Sequence, residues 1–173
     1  RCVPVMTEKL ITLCTIAAQY NISLTVDAEE VERLVPSLAI IEGVMAHKDL
    51  KGWSGFGMAV QAYQKRAMPL LDHTLERAQN YNRRLQVRLV KGAYWDTEIK
   101  RAQVLGLEDY PVFTRKVNTD VSYLACAQKL LQHPQNFKPM FGTHNAYTVA
   151  TILEMTKLGM EFEFQRLHGM GES

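Results

Sequence analysis

Arg88 is the residue whose setting in this sequence most clearly suggests chemistry. It lies within an apolar run, Val87-Arg88-Leu89-Val90, of the kind that forms buried strands. A guanidinium cannot lose its charge at physiological pH, so in such a run it needs an anion, carbonyl oxygens or an electron-rich ring beside it. We therefore predict that Arg88 has a functional role.

Polar side chains also stand at the ends of this apolar run and of the others. They are Asp27, Gln61, Lys91, Thr143 with His144, and Gln165 with His168. In parallel α/β folds the carboxyl ends of the strands carry the chemistry. Taken singly, each residue has a plain structural alternative. Asp27 suits a helix N-cap, and His144 suits a loop position beside a capping Asn145.

A second group of candidate ligand contacts follows the Arg88 strand. Gly92-Ala93-Tyr94-Trp95 suits close backbone approach to a phosphate and stacking on a planar ring, or else a plain turn with two packed aromatic side chains. Thr114-Arg115-Lys116 suits a phosphate contact at a helix start, or else a solvated face. The sequence has no GxGxxG or Walker motif and no identifiable Ser/His/Asp or Cys/His set. We expect no metal site, because His144 and His168 are isolated.

These residues lie in a regular alternation of predicted strands and helices. The apolar patterns predict strands at 22–26, 55–63, 85–90, 140–143 and 162–167. They predict helices from a Thr7 cap to Asn21, near 36–45, 69–78, 99–104, 118–132 and 148–157. Strands that alternate with helices indicate parallel β-α units, in a doubly wound sheet or in a barrel.

The number of units favours part of a barrel. Five units occupy the 173 residues, whereas a complete (β/α)8 barrel typically needs ~250. A short Gly-rich segment follows the last strand instead of a helix that would cover it. We therefore expect residues 1–173 to form one unit of a larger protein. The alternative is a complete flavodoxin-like α/β domain that binds or interacts without catalysis.

Composition excludes several classes of protein. Twenty Lys and Arg against eighteen Asp and Glu give a formal net charge of +2, without the basic cluster that nucleic-acid binding needs. The three cysteines, Cys2, Cys14 and Cys126, are far apart and suit neither a disulfide framework nor a thiolate metal site. The sequence also lacks a signal-peptide pattern and an apolar run of the roughly 20 residues that a membrane span needs. We expect a cytoplasmic location.

Several long motifs resemble one family of enzymes. They are RLVKGAYWDTEIKRAQVLGLEDYPVFTRKVNTDVSYLACAQKLL, NISLTVDAEEVERL, GFGMAVQAYQKR, FGTHNAYT and FEFQRLHGMGE. These motifs cover nearly the whole chain, and they resemble the proline dehydrogenase domain of the bacterial bifunctional proline utilisation flavoenzymes. The resemblance implies a (β/α)8 barrel that carries FAD and oxidises L-proline to 1-pyrroline-5-carboxylate. It also implies a separate NAD-dependent domain that makes glutamate, outside this chain.

The resemblance implies roles for particular residues. Arg88 would lie beside the flavin ring, where a fixed cation favours the negative charge that builds there. Asp27 would orient the cations of the active site. The further residues implied to contact FAD are Gln61, Val90, Gly92, Tyr94, Trp95, Thr114, Lys116, Thr143, His144 and Leu167.

The resemblance also has consequences for residues 1–173 taken alone. Their strands would be the third to seventh of the barrel, and the lysine and paired arginines that hold the proline carboxylate in this family would lie outside them. We expect this part alone to be inactive, to bind no flavin and to self-associate through its strand edges. Asp27 should be exposed or capping and should lack a cationic partner. The whole protein would pass electrons to a membrane quinone as a peripheral protein of the inner membrane.

Overall fold

The computed structural model describes residues 2–170. In chain order the elements are α1 (Cys2–Gln19), β1 (Leu24–Val26), α2 (Leu34–Ala46), β2 (Phe56–Gln61), α3 (Ala67–Asn80), β3 (Leu85–Val90), α4 (Trp95–Val104), α5 (Lys116–Gln132), β4 (Phe137–Gly142), α6 (Ala146–Met155) and β5 (Glu163–Gln165). Short 3₁₀ turns occupy Val31–Arg33 and Lys48–Leu50. Among these described residues, no helix is long and apolar enough to cross a membrane.

All five strands are parallel and lie side by side in the order of the sequence, β1-β2-β3-β4-β5. Right-handed crossovers that always step in the same direction bring every connecting helix to one face of the sheet, as in a barrel. A doubly wound sheet instead reverses its strand order at a switch point. The partial (β/α)8 barrel is therefore confirmed, and the flavodoxin-like alternative is wrong.

The two faces of β3 have different environments. Leu85, Val87 and Leu89 are at most 1% exposed and belong to the core formed with the helices. The alternate residues, Arg88 among them, point to the opposite face, because successive side chains of a strand alternate. Arg88 and Val90 are only partly buried there. This less covered face, near its carboxyl edge, is where the candidate site lies.

Three positions suggested by the sequence for helix caps and helix starts are wrong. The first helix begins by Cys2, and the Thr7 hydroxyl donates to the Val3 carbonyl within it, so Thr7 is not a cap. After β1 the first helical turn begins at Val31, with Glu30 in the capping position, so Asp27 is not an N-cap either. The helix predicted near residue 99 already begins at Trp95. Local propensity sets these boundaries weakly, and tertiary contacts shift them by several residues.

Tyr123 connects α5 to the sheet. Its side chain is fully buried, and its hydroxyl lies 3.2 Å from the Leu89 carbonyl oxygen and 3.5 Å from that of Gly142. Burial raises the pKa of Tyr123, so the phenol stays neutral and can donate. The hydroxyl thus links the carboxyl ends of β3 and β4 through one helix.

We expect Tyr123→Phe to lower the free energy of unfolding by about 1 kcal/mol, because a buried hydrogen bond is lost without a change of shape. Tyr147→Phe is the matched control, since Tyr147 is 74% exposed. Urea denaturation of both variants measures the difference. Equal unfolding midpoints would mean that the Tyr123 hydroxyl contributes nothing to stability.

Candidate active site

Arg88 is held by two side chains from the outer strands of the sheet. Its Nη1 donates to Asp27 Oδ1 at 2.5 Å, and its Nε donates to Gln165 Oε1 at 2.8 Å. Asp27 directly follows β1, and Gln165 is the last residue of β5. The central strand therefore carries a fixed cation whose orientation both outer strands determine.

These contacts require a curved sheet. Each partner of Arg88 comes from a strand two positions away from β3. On a flat sheet such strands are about 10 Å apart and the side chains on one face point in parallel. Curvature toward the Arg88 face tilts the three side chains together. The cluster therefore lies on the concave face that becomes the interior of a barrel.

Two predictions about this cluster need correction. The Arg88 side chain is 31% exposed, so Arg88 is not a fully buried cation. The apolar residues beside it in sequence face the helices and not the guanidinium. Asp27 is 74% exposed, as predicted, but the prediction that it lacks a cationic partner is wrong, because Arg88 of the same chain pairs with it. The expected self-association stays a prediction.

Gln61, at the end of β2, joins two loops of the site. Its side chain is buried, Nε2 donates to the Glu29 carbonyl oxygen at 2.9 Å, and Oε1 accepts from the Ala93 N–H at 3.0 Å. One amide therefore ties the loop that carries Asp27 to the turn that follows β3. The sequence indicated Gln61 as a ligand contact but gave no sign of this bridge.

The turn after β3 requires glycine at residue 92. Gly92 has φ +150°, and a Cβ there would lie 2.4 Å from the ring of Tyr63. The turn starts from Val90, whose carbonyl oxygen accepts the Ala62 N–H at 2.8 Å. Packing against Tyr63 and the positive φ therefore account for glycine at this turn, and the close approach to a phosphate stays a prediction.

Two aromatic side chains follow that glycine at the start of α4. Tyr94 occupies the N-cap position and is partly buried. The Trp95 indole N–H donates to the Phe113 carbonyl oxygen at 2.9 Å, while the side chain stays 42% exposed. Trp95 thus has its polar atom satisfied and part of its surface uncovered, as a stacking platform requires.

Lys91 and Lys116 meet at one carboxylate, Asp120. Asp120 Oδ1 accepts from Lys91 Nζ, and Oδ2 accepts from Lys116 Nζ at 3.1 Å. The bond from Lys91, followed by that from Lys116, lowers the pKa of Asp120. Thr114, exposed just before α5, lies next to this pair in sequence. The i,i+4 spacing to Lys116 was the one sequence signal for Asp120.

The loop after β4 meets the end of the described chain. Thr143 Oγ1 accepts the Asn145 N–H at 3.1 Å, and Asn145 caps α6 by accepting the Thr148 N–H at 2.9 Å. The alternative that Asn145 is a cap is thereby confirmed. His144 Nε2 accepts the Leu167 N–H at 3.4 Å, so these two predicted residues do meet.

An open groove of about 350 Å³ adjoins this loop. Its lining includes the polar side chains of Thr143, His144 and Arg166 and the apolar side chains of Val149 and Leu153 from α6. Leu167 is 65% exposed beside it. The groove therefore offers a mixed polar and apolar surface at the same edge of the sheet.

The predicted residues thus gather in three groups at the carboxyl ends of the strands. The groups are Arg88 with Asp27 and Gln61; Val90, Gly92, Tyr94 and Trp95 with Thr114 and Lys116; and Thr143 and His144 with Leu167. Within residues 2–170, no three His, Cys, Asp or Glu side chains are grouped as metal ligands. The arrangement can fix a planar or anionic ligand around one permanent cation.

Such a fold and site define a parallel β-α barrel segment with a candidate ligand site on its concave face, centred on an arginine. The sequence profile of one family, described as proline dehydrogenase, matches residues 3–173. The chain belongs to the proline dehydrogenase family.

Individual relatives agree with this assignment. The chain is 53% identical to the bifunctional protein PutA of Salmonella typhimurium over 95% of its length, and 52% identical to PutA of Escherichia coli over 95%. A crystal structure of proline utilization A (PutA) from Bradyrhizobium japonicum superimposes with a TM-score of 0.97 at 55% identity over 99% of the chain. The chain spans 13% of the two PutA sequences and 18% of the crystallised protein.

We expect Asp120→Asn to weaken the dependence of stability on acid pH. The folded state lowers the pKa of Asp120 below the ordinary 3.8, so its stabilising contribution is present above that value and is lost as the pH falls through the folded pKa. The variant should be less stable near neutral pH and should lose less stability below about pH 4. Urea midpoints measured across this range test the sign.

Glu154→Gln serves as the control, since Glu154 is an exposed carboxylate on α6. If Asp120→Asn and Glu154→Gln change the loss of stability at acid pH equally, the ion pairs of Asp120 with Lys91 and Lys116 do not stabilise the fold.

Proposed function

We propose that this chain forms part of the catalytic domain of an FAD-dependent proline dehydrogenase, which oxidises L-proline to 1-pyrroline-5-carboxylate. The observation that carries the proposal is Arg88, held by Asp27 and Gln165 on the concave face of the sheet in a chain of this family. A cation fixed in this way is pre-organised for negative charge that develops during a reaction.

The donor set of the site fits FAD. Arg88 supplies a permanent cation for the edge of a flavin ring, and the exposed Trp95 indole supplies a surface for the adenine. Lys116 and Thr114 supply a cation and a hydroxyl for phosphates near the start of α5. Thr143 and His144 line the remaining groove, and the Leu167 N–H donates to His144 beside it. These residues, with Gln61, Val90, Gly92 and Tyr94, would hold the cofactor.

The chemistry divides between cofactor and protein. When bound, FAD supplies the acceptor for the two electrons that proline loses with two protons. Arg88 would offset negative charge at the edge of a bound flavin ring, and Asp27 keeps Arg88 oriented while it limits the net positive charge of the site. Gln61 holds the loops on either side of this pair in register. L-Proline itself would also contact residues outside this chain.

The proposal extends to the whole protein. The PutA relatives carry the name bifunctional, which supports a second activity in the whole protein. In the proposal that activity is NAD-dependent, lies outside this chain and converts pyrroline-5-carboxylate to glutamate. A membrane quinone would accept the electrons, with the protein cytoplasmic and peripheral at the inner membrane. Residues 1–173 alone would be inactive, since the site they carry is open on its concave face.

We expect Arg88→Met, made in the intact protein, to slow flavin reduction by L-proline about 100-fold or more and to lower the flavin potential, with a smaller effect on FAD content. The reason is that the fixed positive charge at the ring edge is lost while the phosphate and adenine contacts remain. Anaerobic stopped-flow mixing with L-proline, monitored by flavin absorbance, measures the rate.

Arg84→Met is a closely matched control. Arg84 immediately precedes β3, is 30% exposed against 31% for Arg88, and is also ion-paired, to Glu161 at 2.7 Å. It should leave flavin reduction nearly unchanged because it lies at the amino end of the strand. An unchanged rate of flavin reduction in Arg88→Met would contradict the role of Arg88. If L-proline does not reduce the flavin of the unmodified protein, the proposed activity is wrong.

A further inference from the structure

The loop that carries Asp27 is held at one peptide by two charged side chains. Glu98 Oε1, from the first turns of α4, accepts the Val31 N–H at 2.7 Å. On the other side, Arg66 Nη2 donates to the Val31 carbonyl oxygen. The backbone of Val31 is therefore clamped on both its polar groups, from the start of α4 and from the loop after β2.

The carboxylate of this clamp is buried, and its two hydrogen bonds are partly buried. Glu98 is 3% exposed, and Arg66 is partly buried. Burial lowers the pKa of Arg66, and the negative charge of Glu98 acts in the opposite direction. A buried carboxylate is costly unless hydrogen bonds and a nearby opposite charge compensate it. Glu98 accepts the Val31 N–H and its charge acts on the Arg66 guanidinium, so both conditions are met here.

The Asp27 side chain needs such support from elsewhere. It is 74% exposed, so packing does not fix its position against Arg88. Its location depends on the backbone between β1 and the turn at Val31. The Gln61 bond to the Glu29 carbonyl oxygen and the clamp at Val31 are partly buried contacts that hold that stretch.

We propose that Glu98 is a positioning residue, which sets Asp27 against Arg88 by holding the peptide of Val31. Glu98 lies one helical turn after Trp95. Helix α4 therefore connects the turn at Gly92 to the loop that carries Asp27. This inference rests on the proposed function for its kinetic test, but the structural part stands on contacts within the chain.

Two conservative substitutions show whether the length or the charge of the Glu98 side chain matters. Glu98→Gln keeps the length and an oxygen that can accept the Val31 N–H, while Glu98→Asp keeps the charge but withdraws it by one methylene. In the intact holoenzyme, we expect kcat/KM for L-proline to fall about tenfold in Glu98→Asp and less than about threefold in Glu98→Gln, because misplacement of a distant residue has large kinetic effects. The reverse order would overturn the proposal and assign Glu98 to charge pairing with Arg66.

A double-mutant cycle tests whether Glu98 acts through Asp27. Glu98→Asp should lose its effect, to within about twofold, when it is combined with Asp27→Ala, because two residues that act as one unit are not additive. A purely structural role would give the same fold-change in both backgrounds and would overturn the proposal. Glu32→Ala is the control, since Glu32 neighbours Val31 but forms an exposed ion pair with Arg101.

Hydrogen exchange gives a readout that does not depend on activity. Backbone amides of residues 27–33 should exchange faster in Glu98→Asp than in the unmodified protein, and should change little in Glu32→Ala. Equal exchange in Glu98→Asp and the unmodified protein would overturn the clamp. Because this measurement needs no turnover, failure of the clamp and failure of the proposed dehydrogenase activity are distinguishable.

Discussion

The interaction on which the site depends is the pairing of Arg88 with Asp27 on one side and Gln165 on the other. A guanidinium on a half-covered sheet face keeps its charge and must be compensated. Here the compensation comes from both outer strands, so it exists only while the sheet is curved. The curvature of the sheet therefore determines the orientation of the Arg88 guanidinium.

Around this pairing, hydrogen bonds from side chains to the backbone position the loops. Gln61 joins the loops after β1 and β3, Trp95 joins the start of α4 to Phe113, and His144 joins the loop after β4 to Leu167. Such bonds position loops with defined geometry while leaving the face between them open. That combination suits a large cofactor, which needs fixed contacts along its length and room for itself.

Sequence patterns predicted the framework well, and long-range contacts poorly. β3 was predicted with its observed bounds, because a buried strand flanked by turns has a strong local pattern. The Asp27–Arg88 pair was missed because its partners are 61 residues apart in sequence and meet only through curvature. Glu98 carried no signal, since a carboxylate in the first turns of a helix is ordinary. The roles of residues toward FAD came from resemblance, and no local pattern distinguished them from caps and turns.

A crystal structure of the intact protein with the proposed FAD tests the central claim most directly. The account predicts that Arg88 still bonds to Asp27 and Gln165, and that the flavin ring lies against the Arg88 guanidinium on the concave face of the sheet. An Arg88 turned toward a different partner, with the flavin bound away from the carboxyl ends of β2, β3 and β4, would contradict it.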